Sequence, residues 1–98
     1  MSGSQISSAG LDARRRRALF RSWHRGMREM DLIMGRFADA EIEQLSEADL
    51  DAFEALLDLP DHDVFSWLTG EVETPAAYDT QVFRKLKLSH THDGPIEL

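Results

Sequence analysis

Cysteine is absent from this 98-residue chain, which excludes disulfides, thiolate zinc sites and cysteine nucleophiles. The chain also lacks a run of about 18 apolar residues, so no transmembrane helix is expected. Neither a G-x-G-x-x-G sequence nor a P-loop occurs, and so no motif is suited to cradling a nucleotide phosphate. No segment alternates polar and apolar residues over a useful length, so strands are not predicted. These absences favour a small helical protein, with an intracellular location as the default.

Charge is distributed unevenly along the chain. Residues 1–28 carry seven Arg and one acid, for a net charge of +6. Residues 29–75 carry fourteen acids and one base, for a net charge of −13, and residues 76–98 are neutral. This division predicts two oppositely charged faces, one of which could steer a partner toward the protein.

Helical periodicity begins near the amino-terminal end of the chain. We predict a first helix over residues 11–25, in which Leu19 and Trp23 share one face. Gly26 is the natural place for a break, since glycine costs a helix roughly 1 kcal/mol relative to alanine. A second helix follows, and residues 38–45 are predicted to connect it to the third. The apolar face of the second helix has the i, i+3, i+4 and i+7 spacing, at Met30, Ile33, Met34 and Phe37.

Three further helices are predicted from their boundaries. Ser46 opens a capping box and is the expected N-cap of the third helix, which Pro60 ends. Asp61 is the expected N-cap of the fourth helix. The fifth is predicted to open with Thr74 as N-cap and Pro75 at the first helical position. The fold class is therefore all-α, a small five-helix bundle in a single domain.

The predicted domain covers residues 11–88, between a disordered lead at residues 1–10 and a flexible tail at residues 89–98. The Ser- and Arg-rich composition up to residue 28 superficially fits a mitochondrial transit peptide. However, its apolar residues join the helical stripe, and its removal would take about a quarter of a small domain. We therefore interpret this stretch as part of the domain.

Several motifs have a structural and a functional interpretation. His90 and His92, followed by Asp93, have the chemistry of metal ligands, but a loose tail does not hold ligands in a fixed geometry. The run 14–17, four consecutive Arg, resembles a nucleic-acid patch. Four successive helical residues point in all directions, however, and the acidic body would be repelled by nucleic acid. The many carboxylates are interpreted as a solvated acidic face.

The most distinctive stretch is Arg25-Gly26-Met27-Arg28-Glu29, at the predicted helix junction. Arg suits bidentate recognition of carboxylates, and Gly lets another backbone approach closely. Glu29 could orient one Arg internally or reach a partner. A helix corner with a local ion pair explains the same residues equally well, so the residues alone leave both interpretations open.

The pentapeptide 25–29, followed by Met30 and Asp31, resembles the RGxxE signature of the succinate dehydrogenase assembly factor 2 family, the flavinylation factors. Residues 61–68, DHDVFSWL, resemble the second block of that family, an acidic turn leading into a Trp-Leu helix end. The resemblance covers about residues 11–88. The lead, the tail and the Arg run 14–17 lie outside its motifs and inherit nothing from it.

The resemblance implies a five-helix bundle that acts as an assembly factor rather than an enzyme. It would bind the flavoprotein subunit of succinate dehydrogenase, and in bacteria also of fumarate reductase, and promote covalent FAD attachment to a His of that partner in a self-catalysed reaction. FAD would belong to the partner, and the chain would hold no cofactor or metal of its own. The implied partner-binding residues are Arg25, Gly26, Met27, Arg28, Glu29, Asp31 and Trp67.

The same resemblance implies a cytoplasmic location in bacteria and the mitochondrial matrix in eukaryotes. We expect the free protein to be a monomer, because its exposed surface is highly charged. Bacterial members have also been described as antitoxins of toxin–antitoxin pairs, which the resemblance leaves open. The alternative function is therefore a regulatory or nucleic-acid-binding module that uses the basic first helix. Salt-sensitive binding to DNA or RNA would distinguish it.

Overall fold

The computed structural model describes residues 10–92, with side chains for residues 10–90. Five α-helices and one 3₁₀ turn follow one another within this range, which contains no strand. The all-α, five-helix prediction is thus confirmed. The elements are α1 (Ala13–Trp23), α2 (Arg28–Glu41), α3 (Glu47–Leu57), α4 (Asp61–Leu68), the 3₁₀ turn η1 (Ala76–Tyr78) and α5 (Gln81–His92).

The first helix begins directly after a capping aspartate. Asp12 is the N-cap of α1, and its carboxylate accepts a hydrogen bond from the backbone N–H of Arg15 at 2.8 Å. This bond, strengthened by the Arg15 guanidinium, holds the pKa of Asp12 below its usual range. The helix ends at Trp23, two residues before its predicted end.

The second helix is longer than its apolar pattern indicated. We predicted a connection over residues 38–45, but α2 continues to Glu41, with Ile42 as its C-cap. The reason is burial, because Ala38 and Ile42 extend the inward stripe by two further steps of four residues and are at most 1% exposed. The connection is therefore only residues 42–46.

The third and fourth helices meet at a short turn. Ser46 is the N-cap of α3, as predicted, and its Oγ accepts the backbone N–H of Asp49 at 3.1 Å. The prediction for α4 was wrong by one residue, because Pro60 is the N-cap and Asp61 is the first helical residue. The carboxylate of Asp61 is instead bonded to a guanidinium of the α1–α2 corner.

The predicted start of the fifth helix was also wrong. Residues 76–78 form a single 3₁₀ turn, and Asp79 leaves the helical path with φ −85° and ψ 65°. The α-helix starts at Gln81, where Thr80 Oγ1 accepts the backbone N–H of Phe83 at 3.2 Å. It runs to His92, four residues beyond the predicted domain end at 88. None of the helices in residues 10–92 is long and apolar enough to cross a membrane.

The core lies where the five helices bring their apolar faces together. Phe37 of α2 packs against Phe53 of α3 with ring centroids 5.6 Å apart. Gly35 of α2 lies directly against Trp23 of α1, where an added Cβ would lie 2.3 Å from the indole ring. The same indole donates its Nε1–H to Asp39 at 3.2 Å. This contact fixes α1 against α2 directly behind the corner that joins them.

Candidate functional site

The corner between α1 and α2 is formed by residues 24–27. Gly26 has a φ of +97°, a conformation that side chains with a Cβ rarely adopt, so the corner requires glycine for conformational reasons. Gly26 is exposed, and an added Cβ would meet nothing within 4 Å. The space above this backbone is therefore open to a partner.

Arg25 points into the protein, and its side chain is only 9% exposed. Its Nε donates to Asp61 at 2.7 Å, and its Nη2 donates to the carbonyl oxygen of Leu59 at 2.8 Å. Its Nη1 donates to the carbonyl oxygen of Leu57 at the end of α3. The fork of Arg25 thus binds the α3–α4 turn, and contact of Arg25 with a partner stays a prediction.

Asp31 completes this internal support. Its carboxylate accepts the backbone N–H of Arg25 and closes the corner from the first turn of α2. Asp31 is half-buried, whereas Gly26 is exposed. We use the term corner brace for Arg25, Asp31 and Asp61, which together hold the corner onto the start of α4.

Arg28 and Glu29 differ from the brace. Arg28 is exposed at the first position of α2, and Glu29 is half-exposed. Within the described part of the chain, neither side chain makes a hydrogen bond or an ion pair, so the expected internal pairing of Glu29 with an Arg is not found. Met27 is partly buried against the core. The surface available to a partner therefore consists of Gly26, Arg28 and Glu29.

Trp67 lies away from that surface. It is 8% exposed and stacks on Tyr78 with ring centroids 5.5 Å apart, while Phe83 approaches it at 6.4 Å. Its position is thus in the core between α4, η1 and α5. The second block of the family resemblance is connected to the corner by Asp61, not by Trp67.

The sequence did not predict the contacts of three residues, Asp61, Gly35 and Asp39. Asp61 had been assigned to a helix cap, although its position in the second block was a sign of another role. Gly35 is an isolated glycine within a helical pattern, which indicates a packing requirement. Nothing in the sequence indicated that Asp39 would accept the indole N–H of Trp23.

The basic run on α1 mostly serves the fold. Arg14 bonds three carboxylates on α3, those of Glu47, Asp51 and Glu54, the last at 2.8 Å. Glu54 and Asp51 raise the pKa of Arg14 further above its already high value. Arg15 donates to the carbonyl oxygens of residues 42 and 45, beyond the end of α2. Three of the seven Arg in residues 1–28, namely Arg14, Arg21 and Arg25, thus pair with carboxylates of residues 29–75. The two charged segments are therefore in contact at these pairs rather than separated into two independent faces.

No metal centre is found in the part of the chain that the structure describes. His24 is the C-cap of α1, and its Nδ1 is 2.7 Å from the carbonyl oxygen of Phe20. The remaining candidate was the set His90, His92 and Asp93. Asp93 and the side chain of His92 lie outside the described residues.

A family model described as the flavinator of succinate dehydrogenase matches residues 16–90, which include the corner, the brace and both sequence blocks. The chain belongs to this family. It is 36% identical over 86 residues to the protein of Dictyostelium discoideum named succinate dehydrogenase assembly factor 2, mitochondrial. That alignment covers 88% of this chain and 60% of the relative.

The alignment with a bacterial relative covers a larger share of the relative's length. The FAD assembly factor SdhE of Acetobacter pasteurianus is 34% identical over 85 residues, which are 87% of this chain and 78% of that protein. An assembly factor 2 of Mycosarcoma maydis is 38% identical over 74 residues, which are 76% of this chain and 31% of that protein. The chain thus spans less than two thirds of the two mitochondrial relatives.

Proposed function

We propose that this flavinator-family protein binds the flavoprotein subunit of succinate dehydrogenase and promotes covalent attachment of FAD to it. The observation that carries the proposal is the exposed corner, where Gly26, Arg28 and Glu29 face solvent while the brace holds them from behind. The names of the relatives support it, since one is called a FAD assembly factor.

A rigid corner suits docking because little motion is lost on binding. The brace bonds Arg25 to both ends of the α3–α4 turn, so the backbone around Gly26 is fixed before a partner arrives. The guanidinium of Arg28 has no internal partner within residues 10–92, and its fork suits a carboxylate or a pair of carbonyl oxygens. Glu29 adds an acceptor beside it.

The chemical step belongs to the flavoprotein in this proposal. FAD is the partner's cofactor, and the corner favours the partner conformation that holds the flavin and its acceptor side chain in attack geometry. Each tenfold increase in the population of that conformation requires about 1.4 kcal/mol of preferential binding. The assembly factor thus acts as a non-catalytic chaperone with no cofactor of its own.

The proposal extends to fumarate reductase, whose flavoprotein subunit would present the same chemistry, and to a free protein that is monomeric. Nucleic-acid binding is a weaker alternative, because Arg14, Arg15 and Arg21 are bonded within the protein. The bonds that these three residues form within the protein reduce the positive charge that is available to contact phosphates.

Two substitutions of Gly26 test the docking step. Gly26→Ala and Gly26→Arg impose the same backbone strain at φ +97°, and both side chains point into open space. Only the longer side chain obstructs a partner backbone. In a strain that lacks the assembly factor, we expect Gly26→Ala to restore most covalent flavin fluorescence of the flavoprotein on a denaturing gel.

Gly26→Arg should restore no covalent flavin fluorescence, although immunoblotting should show the variant at the same level as Gly26→Ala. Full restoration by Gly26→Arg would refute docking through the corner. Failure of the wild-type gene to restore fluorescence would refute the proposed function itself.

A further inference from the structure

The outer face of α1 carries an aromatic side chain that no element of the described structure covers. Phe20 is 63% exposed. It borders a shallow depression of about 420 Å³, and we define the Phe20 face as this depression together with His24. The residues that line the depression are Ala13, Arg16, Arg17, Phe20 and Arg21.

The aromatic ring is held in place before any partner binds. The imidazole of His24 stacks on Phe20 with ring centroids 3.9 Å apart and planes inclined by 17°. The Nδ1 of His24 donates to the carbonyl oxygen of Phe20 at 2.7 Å, which fixes the orientation of the imidazole. An exposed aromatic side chain that is already ordered loses little rotamer freedom on binding, which is the property of an interface anchor.

Cations line the same depression as this ring. Arg17 is exposed and makes no hydrogen bond or ion pair with any residue in the range 10–92. Arg16 is exposed and uses only Nη1, which donates to the carbonyl oxygen of Leu11 at 2.6 Å. Arg21 also lines the depression, but it is bonded to Asp58 and to the carbonyl oxygen of Leu57. Arg16 and Arg17 therefore supply the donors that are left for an external anion.

We propose that the Phe20 face is a second part of the flavoprotein-binding surface and takes an acidic segment of the flavoprotein that carries an apolar side chain. The apolar side chain would contact Phe20, and carboxylates on either side would pair with Arg16 and Arg17. This inference rests on the proposed function.

Two observations favour this occupant over others. The charge of the face is complementary to an acidic segment, because Arg16 and Arg17 are exposed cations that pair with no carboxylate of residues 10–92. The face also continues into the corner, since His24 is two residues from Gly26. One partner that covers the corner would thus lie against the end of α1 as well.

The test is the affinity of the purified full chain for the purified flavoprotein that lacks covalent FAD, measured by titration calorimetry. Phe20→Ala and Arg17→Glu are compared with matched controls on other helices. Leu88→Ala removes a side chain that is 68% exposed on α5, and Arg36→Glu reverses an exposed cation on α2 that makes no bond within residues 10–92.

We expect Phe20→Ala to raise Kd by about tenfold to thirtyfold, as truncation of an aromatic anchor does. Arg17→Glu should raise Kd by about tenfold at low salt, and the effect should shrink as salt screens the charges. Both controls should stay within about twofold of wild type, the size expected for side chains outside an anchor. Circular dichroism should be unchanged for Phe20→Ala, because the removed ring is exposed.

Four outcomes would overturn the inference. If Phe20→Ala and Arg17→Glu bind as wild type while Gly26→Arg does not bind, the Phe20 face is excluded and the proposed function stands. If Phe20→Ala abolishes self-association in sedimentation velocity without weakening flavoprotein binding, the face binds a second copy instead. If Arg17→Glu abolishes binding to a DNA or RNA duplex but not to the flavoprotein, its ligand is nucleic acid. If the wild-type chain does not bind the flavoprotein, the proposed function fails and the inference fails with it.

Discussion

Replacing Arg25 by Ala should lower the free energy of unfolding more than any other single substitution in the pentapeptide 25–29. The substitution removes a side chain that is 9% exposed and that binds Asp61 and the carbonyl oxygens of Leu57 and Leu59. Removing one partner of a buried ion pair costs about 3–5 kcal/mol of stability. The structure indicates which end of that range applies.

Two features reduce the loss. Asp61 is 16% exposed and lies in the first turn of α4, where the helix dipole favours a negative charge. The carbonyl oxygen of Leu57 still accepts a hydrogen bond after the substitution, because Arg21 Nη2 also donates to it at 3.0 Å. We therefore expect a loss of about 3 kcal/mol. For a domain of this size, that corresponds to a fall in Tm of about 12–24 °C.

The assay is urea unfolding followed by the fluorescence of the two buried tryptophans. Arg28→Ala is the matched control, since it removes the same charge from an exposed side chain without internal bonds, and its effect should be within about 0.5 kcal/mol. Arg25→Lys should fall between the two, because it keeps the charge and loses the fork. If Arg25→Ala and Arg28→Ala were equally stable, the brace would have no energetic role and the reasoning would be wrong.

Three other substitutions test separate parts of the account. Gly35→Ala places a Cβ 2.3 Å from the ring of Trp23. Calorimetric melting should therefore show that the free energy of unfolding falls by about 1–3 kcal/mol, despite the better helix propensity of alanine. Gly26→Ala should cost about 1 kcal/mol in urea unfolding, because only the backbone at φ +97° is strained; a cost of zero would contradict this. The pKa of Asp12 is lowered in the folded state, so its stabilisation is present above about pH 4 and is lost as pH falls through the folded pKa. Asp12→Asn keeps the cap without the titration, and its urea midpoint should fall less than that of wild type between pH 5 and 2.5; identical profiles would exclude the linkage.

Local patterns predicted most of the helices because each helix is amphipathic and several have caps. Ser46 satisfied a backbone N–H within four residues of itself, which a sequence motif can show. The errors arose where tertiary contacts override such rules. Asp61 was assigned to a cap, but its carboxylate binds Arg25 of another element, 36 residues away in the chain.

The predicted break at Gly26 is confirmed as the corner between α1 and α2, whereas partner binding at this corner stays a prediction. The pattern 25–29 identified the corner, and the positive φ of Gly26 gives a physical reason for the glycine. A pattern of charges cannot show which Arg faces inward, because that depends on the turn between α3 and α4 offering carbonyl oxygens to Arg25. The functional roles of Arg28 and Glu29 remain predictions.

The most direct test of the central claim separates the exposed half of the corner from its brace. In a strain that lacks the assembly factor, the double variant Arg28→Ala, Glu29→Ala is expressed at wild-type level and the covalent flavin of the flavoprotein is measured by in-gel fluorescence. The account predicts that the variant is folded and abundant while covalent flavin stays at the level of the deletion strain. Covalent flavin at the wild-type level would contradict it.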